Sequence, residues 1–280
     1  DIEGRLLGKS AAITKLVAQV KRLAASRAPV LLVGEQGPGR SLVAQVIHAA
    51  SGAPEESLVR VDCSISTEAM LREGLIGQQG EAGTWVRQTR GGTLFLDQLQ
   101  CLPEPIQMEL VGVLRQAAPG FRLIGSTSED LERWVDEGKF HQELFYRIAA
   151  LPVILPPLRE RAEDIPLLVK SFAAQAVNPL FDAKLVEFSD EALAILANYH
   201  WPDNIAELRQ LVTKIAATTE TRVVTAQQIP LRLRDVKSWP SLAEYLSGQE
   251  KQYVDLVLRS THGDKALAAK VLGVEVARLG

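Results

Sequence analysis

The stretch that most constrains how this chain folds is Val30 to Ser41, which reads Val-Leu-Leu-Val-Gly-Glu-Gln-Gly-Pro-Gly-Arg-Ser. Its apolar start, Val30 to Val33, predicts a buried strand. The glycines then break it before an apolar-periodic segment with Leu42, Val43, Val46 and Ile47 resumes as a helix. Strand, glycine-rich turn and helix N-terminus together make a phosphate-binding loop, because successive backbone N–H groups converge on an anion where no side chain crowds them. The spacing from Gly34 through Gly37 to Gly39 is that of a Walker A loop, and Ser41 stands where a hydroxyl reaches Mg2+. Position 40 departs from the pattern. Arg40 replaces the expected lysine, and its planar fork is larger than a point-like ammonium, so nucleotide binding is expected to outlast efficient turnover.

A second strand supports the first. Thr93 to Leu96 is a short apolar run ending in Asp97, the place from which a carboxylate reaches the Mg2+ shell at the carboxyl end of a parallel sheet. Hydrolysis also wants a neighbouring acid to orient water, and here the neighbour is Gln98, which accepts no proton at neutral pH. Phe121 to Ile124 is a further core strand ending in hydroxyls. Among these, Thr127 is a candidate for sensing the outer phosphate, and Ser128 a candidate helix cap. Catalytic candidates are therefore Asp97, Gln98 and Thr127, with metal contacts from Ser41 and Asp97.

Strand and helix signals alternate up to Val153–Leu155. Ile13, Leu16, Val17, Val20 and Leu23 predict an amphipathic helix before the loop, and Leu58 to Val61 a strand followed by a helix over Thr67 to Leu71. Gly74 to Gly92 holds six glycines and reads chiefly as loop. Pro105 to Leu114 and Leu131 to Gly138 read as helices. After Pro156-Pro157 the chain is helical, over Ile165 to Gln175, Asp190 to Tyr199 with Ser189 as cap, and Asn204 to Thr218. Leu242 to Leu258 and Lys265 to Leu272 form two more helices with Gly273 closing the second, and a third segment starts at Val274, the order of a helix-turn-helix.

Bulk properties exclude several classes. A formal charge of -3 gives no general pull toward nucleic acid or membrane, and residues 241–280 carry five basic and five acidic side chains, so any DNA contact is local. Cys63 and Cys101 lack metal-ligand spacing and are expected as reduced thiols. With no bilayer-length apolar run and no signal-peptide pattern, a soluble cytoplasmic protein without membrane partners is expected. Residues Ile2 to Arg5 read either as a protease-site remnant or as native sequence.

Several blocks together resemble the central AAA+ domain of sigma-54-dependent transcriptional activators, the bacterial enhancer-binding family. They are Gly91-Gly92-Thr93-Leu94-Phe95-Leu96-Asp97, Leu144-Phe145-Tyr146-Arg147-Ile148, Leu155-Pro156-Pro157-Leu158-Arg159-Glu160-Arg161, and Trp201-Pro202 with Asn204, Glu207 and Leu208. Leu267-Ala268-Ala269 and Leu272-Gly273-Val274 resemble the family's Fis-type DNA-binding domain. The resemblance implies an α/β AAA+ P-loop NTPase, a three-layer sandwich around a parallel sheet, over residues 1–157. It further implies a helical lid over 158–232, a linker over 233–240 and a truncated Fis-type domain over 241–280.

The resemblance also implies an ATP-driven ring acting on sigma-54 polymerase, with ATP or ADP and Mg2+ as cofactors and an active site shared between subunits. Arg147 matches one of two arginines that act in trans, while His141 replaces the other. The lid arginine that senses nucleotide aligns with Ala206, and Arg209 one turn on is its candidate substitute. Gly77 to Thr84 lacks the family's Gly-Ala-Phe-Thr-Gly-Ala loop. The reading is a degenerate member: a transcriptional regulator on an AAA+ scaffold with eroded catalytic groups, binding ATP weakly or not at all and unable to activate sigma-54 polymerase in the usual way. Its expected partners are further copies of itself as a dimer or ring, double-stranded DNA through a full C-terminal domain, and RNA polymerase or an intact family activator. The alternatives are an active, divergent ATPase and an interaction protein that antagonises an intact activator.

Overall fold

The computed structural model describes residues 2–35, 39–77, 81–115, 120–178, 186–235 and 241–276. In chain order the first part runs α1 (Ile2–Arg5), α2 (Ala11–Ala24), β1 (Val30–Val33), α3 (Arg40–Ala50), β2 (Leu58–Asp62), α4 (Glu68–Leu71) and α5 (Thr84–Gln88). It continues through β3 (Thr93–Asp97), α6 (Glu104–Arg115), β4 (Arg122–Thr127), α7 (Leu131–Asp136), α8 (Gln142–Ile148) and β5 (Pro152–Ile154). The lid follows as α9 (Ile165–Ala173), β6 (Glu187–Phe188), α10 (Asp190–Asn198), α11 (Asn204–Thr218) and β7 (Val223–Val224).

The first five strands form one sheet in the order β2-β3-β4-β1-β5, with every pairing parallel. Alternate side chains of each strand enter opposite apolar layers. Leu31, Leu94, Leu96 and Leu123 pack with Ile106 and Leu110 of α6 and Leu144 and Ile148 of α8. Leu32, Phe95, Ile124 and Val153 face the other way, onto Ile13, Leu16 and Val20 of α2 and Val43, Val46 and Ile47 of α3. The result is the three-layer α/β arrangement that the resemblance implies, built from the alternating strands and helices read in the sequence. Crossover helices on both faces bury both sides of the sheet, which is why its strands read as continuous apolar runs.

Some local expectations change. The glycine-rich stretch after α4 contains a π-helical turn, Arg72–Ile76, and α5. Gly74 is there because Trp85 lies against it: a Cβ at 74 would sit 2.1 Å from the indole ring. The hydroxyls of Ser126 and Thr127 belong to β4 itself and are wholly buried. The cap of α7 is Asp130, which accepts from Arg133 N, not Ser128. Thr67 caps α4 from outside the helix. Ser189 caps α10 as expected.

In the lid, α9 packs along α11. Trp201 is fully buried and donates its indole N–H to Leu196 O at 2.8 Å. A two-stranded parallel bridge, β6 with β7, was too short to show any periodicity. Core and lid together form one compact unit to Ile229, and Pro230 to Gly280 forms another. The second unit holds α12 (Leu242–Ser260) and α13 (Lys265–Leu272), which meet through Val257, Ala268 and Ala269. His262 and Gly263 take left-handed backbone in the turn between them, and Asp264 caps α13. Of the third segment expected from Val274 onward, residues 277–280 lie outside the described residues.

Candidate functional site

The carboxyl ends of β1, β3 and β4 bring the loop and its acid together. β4 lies between the other two, so Gly34 N donates to Thr127 O at 3.1 Å while Asp97 stands one strand further on. Gly39 has φ +91°, a conformation that suits glycine, and leads directly into α3 with no side chain capping its first turn. Gly37 lies outside the described residues.

Arg40 folds inward. It is 6% exposed, its Nη1 donates to Gly34 O at 3.0 Å, and its Nε lies 3.8 Å from Asp97 Oδ1. Burial pushes the guanidinium below its ordinary value, partly offset by Asp97 and Asp62. Ser41 Oγ donates to Asp97 Oδ2 at 3.4 Å and accepts from Arg60 Nη2 at 2.8 Å. The hydroxyl of Ser126 donates to Asp97 Oδ1 in a very short bond and itself accepts from Gln98 N at 3.3 Å. The donors Ser41 and Asp97 thus come together as the sequence predicts. A hydroxyl and a carboxylate are the oxygen chemistry a hard divalent cation takes, but each donor atom here is already engaged by a protein group.

Gln98 adopts φ +59° and turns its amide away from the loop, donating from Nε2 to Ser64 Oγ at 2.9 Å and to Asp62 Oδ1 at 3.4 Å. Thr127 reaches the loop through its carbonyl. Its hydroxyl turns back on Glu129, accepting from Glu129 N at 3.0 Å. Arg209 lies over the Phe172 ring at 4.9 Å. With Leu6, Gly39, Leu42, Val43 and Ile205 it lines a cavity of about 60 Å³ between lid and loop. Arg147 stands elsewhere, paired with Glu143 at 2.9 Å and lining a separate cavity with Arg27, Leu114 and Phe121. Hydrogen bonds from Arg115 and from Arg147 hold the Glu143 carboxyl down at about 2. His141 Nδ1 accepts from Leu144 N at 3.5 Å, a cap for α8.

Several site residues escape sequence reasoning. Arg60 stands in the middle of β2 between Val59 and Val61, a charge flanked by apolar residues in a strand that ends in Asp62. Its register partner is Phe95, which faces the α3 layer, so Arg60 reaches Ser41 on that helix. The mismatch of a charge in Leu-Val-Arg-Val-Asp was a legible signal. Glu35, in the loop, accepts both guanidinium ends of Arg159 at 2.6 and 2.7 Å and the side-chain amide of Asn204 at 3.3 Å. The hydrogen bonds from Arg159 hold the Glu35 carboxyl below the usual range. The loop is thereby tied to the start of the lid and to the N-terminus of α11. Cys63 is buried and its thiol pushed up by burial, which makes it inert. Among the described residues there is no metal-binding cluster of His, Cys, Asp and Glu, and no helix long and apolar enough to cross a membrane.

Comparison with known proteins places this geometry in a family. The profile of the sigma-54 interaction domain matches residues 6–154, and that of an AAA+ ATPase lid domain matches residues 159–243. The chain is 31% identical over 292 residues to the transcriptional regulatory protein ZraR of Escherichia coli K12, covering 96% of this chain and 66% of that protein. It is 31% identical over 281 residues to the formate hydrogenlyase transcriptional activator FhlA of the same organism, covering 93% of this chain and 40% of the relative. It thus spans about two-thirds of the first relative's length and less than half of the second's. Among solved structures, NtrX from Brucella abortus in complex with ATP superposes with a TM-score of 0.70 at 28% identity, over 99% of this chain and 68% of that one. The RuvB branch-migration motor of Thermotoga maritima shares the fold at a TM-score of 0.57 and 16% identity, over 96% of this chain and 83% of that one. With Gly39 leading into α3 beside the acid-tipped strand β3, a helical lid in place, and a profile match over more than half its length, the chain belongs to the sigma-54 interaction domain family of AAA+ proteins.

Proposed function

We propose that this chain is the nucleotide-binding module of a transcriptional regulator, one that holds ATP or ADP at Gly34–Ser41 and turns the triphosphate over slowly. The similarity to NtrX in complex with ATP and with ADP supports the binding half. The observation that carries the slow half is Gln98, an amide whose contacts are Asp62 and Ser64 where a water-orienting acid is needed. Loss of general acid–base help costs about 10² to 10⁴ in rate. Loss of a charge-stabilising donor costs about 10² to 10³ more, and the two do not simply add. Residues 77–84 lack the Gly-Ala-Phe-Thr-Gly-Ala sequence, so activation of sigma-54 polymerase in the family's usual manner is not part of this reading. Output then rests on self-association, on an intact activator or polymerase as partner, and on DNA held through a complete C-terminal domain that α12 and α13 begin.

Phosphate release at saturating ATP tests it. Turnover on the order of 10⁻² s⁻¹ or below is expected, against roughly 1 to 10³ s⁻¹ for ordinary enzymes. Turnover of about 1 s⁻¹ or more that Asp97→Ala suppresses refutes it. A second reading, an active though divergent ATPase driving activation, is favoured by the match over 93% of this chain to a transcriptional activator. It requires a specific rate that climbs with protein concentration as neighbours supply Arg147, and a flat rate removes it.

A further inference from the structure

We infer that two arginines, Arg40 and Arg60, fill the cation position of this site, so that a nucleoside triphosphate binds here without a divalent metal ion. The inference rests on the nucleotide-binding reading above and specifies how the phosphates are neutralised.

A metal ion at a phosphate loop needs a lone pair of the loop hydroxyl and an oxygen of the strand acid, in a near-octahedral shell at about 2.0–2.1 Å for Mg2+. Both donors are committed. Ser41 gives its proton to Asp97 Oδ2 and receives Arg60 Nη2 at 2.8 Å. Asp97 Oδ1 receives the Ser126 hydroxyl and faces Arg40 Nε at 3.8 Å. Arg40 is not a surface side chain that swings away without cost. It is 6% exposed, and Nη1 is tied to Gly34 O inside the loop. A dication placed between Ser41 and Asp97 would meet a guanidinium on each side and would displace hydrogen bonds on both ligands.

The same two groups suit the other ligand. Their combined charge equals that of one divalent ion, and each guanidinium presents a planar pair of donors that matches phosphate oxygens in a fork. Arg40 Nη2 has no protein partner among the described residues, so its N–H groups remain for a phosphate oxygen. Arg60 is exposed on the edge strand β2 and reaches Ser41 at the start of α3. Phosphates seated over the first turn of α3 would therefore lie between a buried arginine and an exposed one.

The test is titration calorimetry of ATP into the full chain, once with excess MgCl2 and once with EDTA. The expected result is a Kd in EDTA within about fivefold of that in MgCl2. A larger loss in EDTA overturns the inference while leaving nucleotide binding intact. Absence of binding in both buffers overturns the inference and the proposed function together. Arg60→Gln, at an exposed strand position that does not threaten the fold, provides an independent arm. It is expected to weaken binding by about tenfold in EDTA and by less in MgCl2, because the metal then enters at Ser41. Equal effects in the two buffers also overturn the inference. Thermal melts of both proteins confirm that the comparison is between folded molecules.

Discussion

Asp164 is the perturbation whose cost the structure lets one work out most fully. Its carboxylate is 1% exposed and accepts from Lys9 N at 2.5 Å, Ser10 N at 2.8 Å and Ser10 Oγ at 2.6 Å. It is also the one carboxylate that offsets the effect of burial on Arg161, a guanidinium only 4% exposed. Asp164→Ala strands the buried Ser10 N–H and hydroxyl, each at about 1–3 kcal/mol. It also removes the negative charge that partly offsets the burial of Arg161. These groups share one network, so the penalties overlap, and a net loss of about 4 kcal/mol is expected. At roughly 2–4 °C per kcal/mol for a unit of this size, the midpoint falls by about 10 °C. Urea denaturation followed by circular dichroism measures the loss, and Asp164→Asn, which keeps one acceptor oxygen, should recover part of it. A loss below about 1 kcal/mol for the alanine variant would show that the Asp164 network contributes little to stability. The same network places Leu6 against the cavity beside Gly39, so nucleotide affinity should weaken along with stability.

Glu143→Gln should destabilise at neutral pH and lose its effect in acid. The carboxyl sits at about 2 when folded, so its contribution is complete above the unfolded value and disappears as pH falls toward 2; melts of both proteins between neutral pH and about pH 2 should converge at the acid end. Gly74→Ala should cost about 1–3 kcal/mol by forcing a Cβ into the Trp85 ring. Gly112→Ala, in the middle of α6 with nothing within 4 Å of its added Cβ, should gain about 0.5–1 kcal/mol; the two together check the packing argument by chemical denaturation. Arg159→Ala breaks an ion pair whose members are 44% exposed, so the melting midpoint should move by no more than about 2–4 °C.

Much of this molecule is legible in its sequence because its central strands are buried on both faces. Val30–Val33 and Thr93–Asp97 read as continuous apolar runs, and Asp97 ends the second where a parallel sheet exposes its carboxyl edge. Helix α11 starts and ends where its periodicity does, and Gly273 closes α13 with φ +66°. β4 was harder, because Ser126 and Thr127 look like loop residues until Asp97 and Glu129 are seen to satisfy their hydroxyls. α5 hid among glycines whose purpose is to let Trp85 and the 81–83 backbone approach. What no local pattern conveys is the site's long-range wiring. Arg159 meets Glu35 across 124 positions and Asn204 meets it across 169, distances over which sequence periodicity carries no information.

That wiring ties the start of the lid to Glu35, just beyond β1. With Glu35 clasped by Arg159 and Asn204, any rotation of the lid either drags the loop along or releases it. Two sets of positions that would otherwise vary independently are thereby reduced to one coordinate. A ligand that moved Glu35 would therefore act directly on Arg159 and on the first residue of α11, with no need for the bond between its phosphates to break.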